Sequence, residues 1–157
     1  METMVSKYVS LKEVSKSNTA SKKGIDNTPK GAELENIKKL CINVIDPLRE
    51  WKGEPLYVSS CFRSDALNKA TPGSSKTSQH CAKNGAAMDI DDVGGKITNK
   101  QMFDFIKLHL DFDQMIWEFG DDKNPDWVHV SYVSKEKNRK QVLRAKSVDG
   151  EPSYSNY

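Results

Sequence analysis

The stretch "SSCFRSDALNKATPGSSKTSQHCAKNGAAMDID" (residues 59–91) decides the fold, because it joins two short strand patterns through a long polar connection. The first pattern, "PLYVSS" (55–60), and the second, "AAMDID" (86–91), are typical of short strands. Between them, Ser64 can cap a helix of one or two turns, and a segment rich in glycine, proline and serine predicts a loop. Arg63 and His80 lie in this connection, so the stretch predicts a functional site as well as part of the fold.

Helical patterns lie on both sides of this stretch. Residues 32–53 place apolar side chains at i, i+3 and i+4, with Pro47 predicting a kink or a break and Gly53 predicting the end. Residues 98–110 predict a second helix, which begins after a Thr98 cap.

Two further strand patterns, 112–119 and 126–133, are separated by "GDDKNP" (120–125), which predicts an antiparallel hairpin. The order of helices and strands therefore predicts one α+β domain, with helices packed on a small antiparallel sheet. Residues 1–31 are expected to be a polar N-terminal arm packed on that domain, and residues 147–157 a polar C-terminal tail. The segment "RKQVLRA" (139–145) could add an edge strand.

The bulk composition excludes several classes of function. Of the 157 residues, 36% are hydrophobic and 29% are charged, and the net charge is only +2. Near-neutral charge disfavours nucleic acid as a partner, and no apolar run could span a bilayer. No apolar signal segment starts the chain, so we expect synthesis in the cytoplasm. A monomer is the default expectation.

The cysteine count does not predict a disulfide scaffold. Cys41, Cys61 and Cys81 form an odd and sparse set, for which free thiols are the expectation. A bridge between Cys61 and Cys81 stays open for an oxidising compartment.

Strand alternation predicts a metal site. It places Asp89 on one face of its strand and His129 on one face of another, so that neighbouring strands can present both to the same side. His80 precedes them in a loop that Gly85 can fold back. Two imidazoles and one carboxylate leave a zinc position open, as in catalytic sites. The alternatives are a packed polar histidine, which is common in strands, and a metal ligated by the nearby cysteines.

Two charged residues could act beside such a site. Asp126 could take a proton from water, because Pro125 favours a bend at the strand entrance that frees it from strict alternation. Arg63 follows a buried strand and could hold a carboxylate or an oxyanion. The alternatives are a loop carboxylate for Asp126 and a surface ion pair for Arg63. His109, late in a helix, is not expected to be a ligand.

Four motifs in order resemble one known family. The strings "SSCFRSDALN", "SQHCAKNGAAMDI", "FDQMIWEF" and "DWVHVSY" resemble the zinc D-alanyl-D-alanine carboxypeptidase family, which has the hedgehog/DD-peptidase fold. The family includes D,D-dipeptidases and phage endolysins that cut L-alanyl-D-glutamate bonds. The resemblance covers roughly residues 8 to 145, and the opening of the chain is similar to that of phage and prophage members.

The resemblance implies a role for each matching residue. His80, Asp89 and His129 would hold one zinc ion, and Asp126, three residues before the last histidine, would be the general base. Residues 32–146 would then form the zinc peptidase domain.

The motifs also imply substrate contacts, and they depart from the family at two places. Arg63 and Ser78 would bind substrate, with Arg63 polarising the carbonyl, and Glu118 would have a structural or supporting role. Cys61 replaces the usual glycine before the arginine, which raises the question of strain there. The loop "HCAKNG" (80–85) is two residues longer than usual.

The implied function is zinc-dependent hydrolysis of peptide bonds in peptidoglycan stem peptides that contain D-amino acids, by carboxypeptidase or endolysin-like endopeptidase action. Peptidoglycan or its fragments would be the partner, reached after release from the cytoplasm. The alternatives are an inactive peptidase-fold module that binds cell-wall peptides and a metal-dependent nuclease, which the near-neutral charge disfavours.

Overall fold

A six-stranded sheet with helices packed against one face forms the centre of the protein, in a computed structural model that describes all 157 residues. The predicted α+β class is confirmed. The helices are α1 Leu11–Ser15, α2 Asn18–Lys23, α3 Ala32–Leu40, α4 Asp46–Lys52, α5 Asp65–Lys69 and α6 Asn99–His109. The strands are β1 Leu56–Ser60, β2 Ala86–Asp92, β3 Gln114–Glu118, β4 Trp127–Tyr132, β5 Gln141–Val148 and β6 Glu151–Asn156.

The sheet has the order β1-β2-β4-β3-β5-β6, and every neighbouring pair is antiparallel except β3–β5. The parallel pair differs from the predicted all-antiparallel sheet. Residues 133–140 carry the chain past the start of β3, where the N–H of Gln141 donates to the carbonyl of Asp113. β5 therefore begins beside Gln114 and runs in the direction of β3.

The hydrophobic core lies between the helices and one face of the sheet. Alternate strand residues point into it, and they are buried together with apolar residues of the longer helices. The strands contribute Met88, Ile90, Met115, Trp117, Val128 and Val130, and the helices contribute Ile37, Leu40, Leu48, Met102, Phe103 and Ile106.

The helical segment 32–52 contains Pro47 and remains helical throughout. A π-helical segment, Cys41–Ile45, separates α3 from α4, and the N–H of Asp46 donates to the carbonyl of Cys41. Pro47 lacks an N–H and its ring crowds the preceding turn, so a wider turn just before it satisfies both constraints. The kink or break predicted at Pro47 takes this form, and α4 ends at Gly53 as the sequence indicates.

Both ends of the chain are ordered on the domain. Within residues 1–31, Val5, Val9 and Val14 are buried in the core. The predicted tail of 147–157 contains β6, whose backbone pairs with β5; because β6 is an exposed edge strand, its sequence is polar and resembles a tail. None of the helices is long and apolar enough to cross a membrane.

Candidate metal centre

The pairing of β2 with β4 brings the first two predicted ligands together. Asp89 lies directly opposite His129 in the antiparallel register, so both side chains point to the face of the sheet opposite the core. Nδ1 of His129 lies 2.9 Å from Oδ1 of Asp89.

His80 reaches the same point from the loop between β1 and β2. It lies in the 3₁₀ turn Gln79–Cys81, and the Ser78 hydroxyl accepts the backbone N–H of His80. Nδ1 of its ring lies 2.7 Å from the carbonyl oxygen of Cys61, and Nε2 lies 3.5 Å from Oδ1 of Asp89. When Nδ1 donates to that carbonyl, Nε2 is left free as a metal ligand, as is typical of ligating histidines.

The three side chains form one group of donor atoms. One ligand atom from each of His80, Asp89 and His129 lies within 4.8 Å of the others. Burial opposes ionisation of Asp89, but the adjacent imidazoles of His80 and His129 outweigh it and hold the pKa of the carboxyl below its ordinary value. Two imidazoles and an ionised carboxylate are the donor set of an open zinc site, so the residues fit that metal.

Buried hydrogen bonds hold the His80 loop in place. The N–H of Arg63 donates to the carbonyl of His80 at 2.9 Å. Asn27, which the sequence did not single out, donates to the carbonyl of Phe62 at 2.8 Å and accepts the N–H of Ser64 at 2.8 Å. Residues 1–31 therefore support the segment that carries Arg63, and no spacing in the sequence signalled this contact.

Neither departure from the family pattern disturbs the group. Cys61 is not among the residues with positive φ, so its position does not require glycine, and its backbone carbonyl still contacts His80. The longer loop is accommodated by Ala82, which has a φ of 57° after the 3₁₀ turn. Gly85 follows with a φ of 82°, where a side chain would clash with the carbonyl of Tyr132.

Arg63 and Ser78 lie side by side next to His80. Nη2 of Arg63 donates to the Ser78 hydroxyl at 2.8 Å. Nε of Arg63 is buried and has no hydrogen-bond partner. The only side-chain hydrogen bond of the guanidinium is the one from Nη2 to Ser78, so its other Nη hydrogens can bind a ligand that enters the site.

Asp126 is not one of the three residues of the metal-binding group. It is exposed and lies just before β4, which begins at Trp127, so its role as general base stays a prediction. It lines a cleft that also includes Asp122, Arg144 and Lys146.

Glu118 occupies the metal-bearing face. Ile116 pairs with His129 and Glu118 pairs with Trp127, so Glu118 lies on the same side as His129, one pair further along. Its side chain is buried, with 7% exposure. Burial, together with the negative charge of Asp89, raises the pKa of Glu118 to about 7. Alternation along "QMIWEF" could have revealed this position once the pairing with β4 was known.

The remaining candidates lie outside the group. Cys41, Cys61 and Cys81 are free and buried, and none belongs to the ligand set. Burial raises the pKa of Cys61 and of Cys81, which keeps both thiols protonated and makes them poor metal ligands. His109 is exposed in the last turn of α6 and contacts Phe105.

The family-model comparison agrees with this geometry. The model of peptidase M15 matches residues 7–131, which include all three ligands of the group. The chain belongs to the peptidase M15 family. Peptidases of this family are zinc-dependent, so the match and the His-Asp-His group together support a zinc metallopeptidase. No curated protein matches the chain.

Proposed function

We propose that this M15 member hydrolyses peptide bonds in peptidoglycan stem peptides that contain D-amino acids, using one zinc ion. The observation that carries the proposal is the convergence of His80, Asp89 and His129 on one face of the sheet, within the segment that matches the family. Cleavage as a carboxypeptidase or as an endolysin-like endopeptidase, and action at the cell wall in a phage or prophage setting, are parts of the same proposal.

The protein residues around the ligands supply binding and charge. Zinc held by these ligands would contribute Lewis-acid activation of water and of the substrate carbonyl. The Nη donors of Arg63 that Ser78 does not use can hold the negative charge that develops on the carbonyl oxygen. Ser78 fixes the guanidinium by accepting from Nη2, so that it does not have to reorganise during the reaction.

Two carboxylates are candidates for the general base. Asp126 is the residue that the resemblance assigns, and it is exposed in a cleft that Arg144 and Lys146 also line. Glu118 is supported by its buried place on the His129 face, and in the zinc-free protein its burial and the charge of Asp89 raise its pKa to about 7. We therefore propose Glu118 as the group that takes the proton from water and returns it to the departing amine.

Two measurements on one preparation test the function. Zinc content is measured by elemental analysis, and purified peptidoglycan is digested and analysed by mass spectrometry. We expect close to one zinc per chain and new peptide fragments, whose masses identify the cleaved bond. His129→Ala should lose both zinc and fragments, whereas His109→Ala, at an exposed histidine outside the group, should keep both.

The outcomes separate the proposal from its rivals. Zinc without fragments would favour a module that binds cell-wall peptides without cleaving them. Stoichiometric zinc in His129→Ala would remove this residue from the ligand set. Binding of DNA with a steep salt dependence would indicate a nucleic-acid enzyme instead.

A further inference from the structure

The C-terminal hairpin extends the metal-bearing face beyond the segment that matches the family. The match ends at residue 131, whereas β5 and β6 cover Gln141–Val148 and Glu151–Asn156. β5 pairs with β3, the strand that carries Glu118. The hairpin therefore adds two strands on the side of the site opposite β1, the strand that precedes Arg63.

Strand register aligns one residue of β6 with the site. Glu118 pairs with Ala145, and Ala145 pairs with Tyr154, so the three side chains form a row on one face. Neighbouring strands lie about 4.8 Å apart, which places the Tyr154 backbone roughly 10 Å from that of Glu118. Only the methyl group of Ala145 lies between them, and a tyrosine side chain is long enough to lean across it.

The electrostatics of Tyr154 agree with this placement. Burial raises the pKa of its phenol, and the negative charges of Glu118 and Asp89 raise it further. A phenol that responds to both carboxylates lies within the electrostatic range of the site. The hydroxyl is protonated at neutral pH and can donate a hydrogen bond.

The last residue of the chain fixes the hairpin from the opposite face. Tyr157 stacks on Trp117 with 5.8 Å between ring centroids, and its ring centroid lies 5.0 Å from that of Phe103. The N–H of Tyr157 donates to the carbonyl of Val142 at 3.1 Å. Because Tyr154 and Tyr157 are three residues apart in an extended segment, anchoring Tyr157 on the core side holds Tyr154 on the metal-bearing side.

Apolar residues separate Tyr154 from the metal ligands. Ile116 pairs with Leu143, and Leu143 precedes Ala145 on the same face of β5. Ile116 and Ala145 are buried, with 6% and 0% exposure, and Glu118 is 7% exposed, whereas Tyr154 is 54% exposed. In the row of Glu118, Ala145 and Tyr154, the tyrosine is therefore the side chain that a ligand can reach.

We propose that the β5–β6 hairpin forms the second wall of the substrate cleft, and that the hydroxyl of the exposed Tyr154 side chain binds the backbone of the peptide substrate. The proposal rests on the proposed function in taking a peptide as the ligand. It adds a substrate-binding residue from a segment outside the family match. Arg63 and Ser78 would then contact the substrate from one side, and Tyr154 from the other.

Kinetics on the zinc-loaded full chain test this assignment. The substrate is the muropeptide that the peptidoglycan digestion identifies as cleaved. Tyr154→Phe should lower kcat/KM by roughly threefold to tenfold, mainly through KM, because it removes one neutral hydrogen bond. Tyr154→Ala should lower it further. Ser155→Ala, the next residue on the opposite face of β6, should match the wild type, and zinc content should be unchanged in all three variants.

A binding measurement separates failure of this assignment from failure of the proposed function. Calorimetric titration of a synthetic stem pentapeptide ending in D-alanyl-D-alanine gives Kd for Glu118→Gln and for Glu118→Gln with Tyr154→Phe. Weaker binding in the double variant supports the Tyr154 role even if the wild type cleaves nothing. Equal Kd values, or unchanged kcat/KM in Tyr154→Ala, would overturn it, and an absence of both binding and cleavage would overturn both proposals.

Discussion

The two faces of the central sheet use the same strands for opposite purposes. Met88 and Val130 are fully buried against the helices, whereas Asp89 and His129, their neighbours in sequence, turn to the other face and meet each other. One face is apolar and closely packed, and the other collects ionisable groups. Because adjacent residues serve different faces, stability and chemistry should be separable by substitutions one position apart.

The contrast also distinguishes two carboxylates that are close in sequence. Glu118 and Asp126 flank the turn between β3 and β4, and the backbone N–H of Asp126 donates to the carbonyl of Glu118 at 2.9 Å. Despite this contact, Glu118 is buried on the metal-bearing face, and Asp126 is exposed in a cleft that Glu118 does not line. Which face a carboxylate occupies, rather than its distance in sequence from His129, should decide its role.

The largest expected effect is on this pair. Glu118→Gln should lower kcat by roughly 10²- to 10⁴-fold, the usual contribution of a general base, with zinc still bound. Asp126→Asn should change kcat by much less if Glu118 is the base, because Asp126 is exposed and lines a cleft with Arg144 and Lys146. Turnover on muropeptides and zinc content are measured together. A larger loss of kcat in Asp126→Asn than in Glu118→Gln would identify Asp126 as the general base, as the family pattern assigns it.

A substitution on the core face should lower stability and leave zinc binding unchanged. Met88→Ala should lower the free energy of unfolding by about 2–5 kcal/mol, because it leaves a cavity in a fully buried site. The folded fraction should keep its zinc, since the ligands lie on the other face. Denaturant unfolding measures the loss, and Met4→Ala, at an exposed methionine, is the matched control. A comparable loss in both variants would contradict the division between the faces.

Alternation explains why part of the site was predictable. Side chains alternate between the two faces of a strand, so the faces of Asp89 and His129 could be assigned without knowledge of the rest of the chain. The resemblance of the four motifs indicated His80, Arg63 and Ser78. The structure brings these five residues together, and the α+β class followed from the order of apolar patterns.

The remainder depended on long-range pairing that local patterns do not encode. The role of Glu118 depends on which strand β3 pairs with and in which register, and the parallel β3–β5 pair requires a crossing that the sequence does not signal. β6 looks like a loose tail because an exposed edge strand needs no apolar side chains.

The raised pKa of Glu118 predicts a pH dependence of stability. Its pKa rises from 4.5 to about 7 on folding, so the protonated form is favoured in the native state. The stabilisation from this group is complete below about pH 4.5 and is lost as the pH rises through about 7. In zinc-free protein, the wild type should therefore lose up to about 3 kcal/mol relative to Glu118→Gln over this range.

Denaturant unfolding of both proteins in chelator, at several pH values, measures this difference. Taking the difference between the two proteins removes the contributions of the other titrating groups, provided that they are unaffected by the substitution. Parallel stability curves would mean that Glu118 titrates normally, and its proposed role would then lack the pKa that supports it.

The smallest expected effect concerns the contact that supports the His80 loop. Asn27 is buried and bonds to the backbone of Ser15, Phe62 and Ser64, so Asn27→Ala should cost about 1–3 kcal/mol by leaving buried backbone groups without partners. Because Arg63 follows directly and contacts His80, zinc affinity should fall as well.

Asn43→Ala is the matched control for this effect. Asn43 is exposed and its side chain donates only to a carbonyl one turn back in the same helical segment, so its removal should change stability by less than about 0.5 kcal/mol. Zinc titration against a competing chelator measures the affinity of both variants. A stability loss in Asn27→Ala without any loss of zinc affinity would show that the metal-bearing face is rigid independently of the N-terminal residues. Loss of both would make residues 1–31 part of the machinery that positions the ligands.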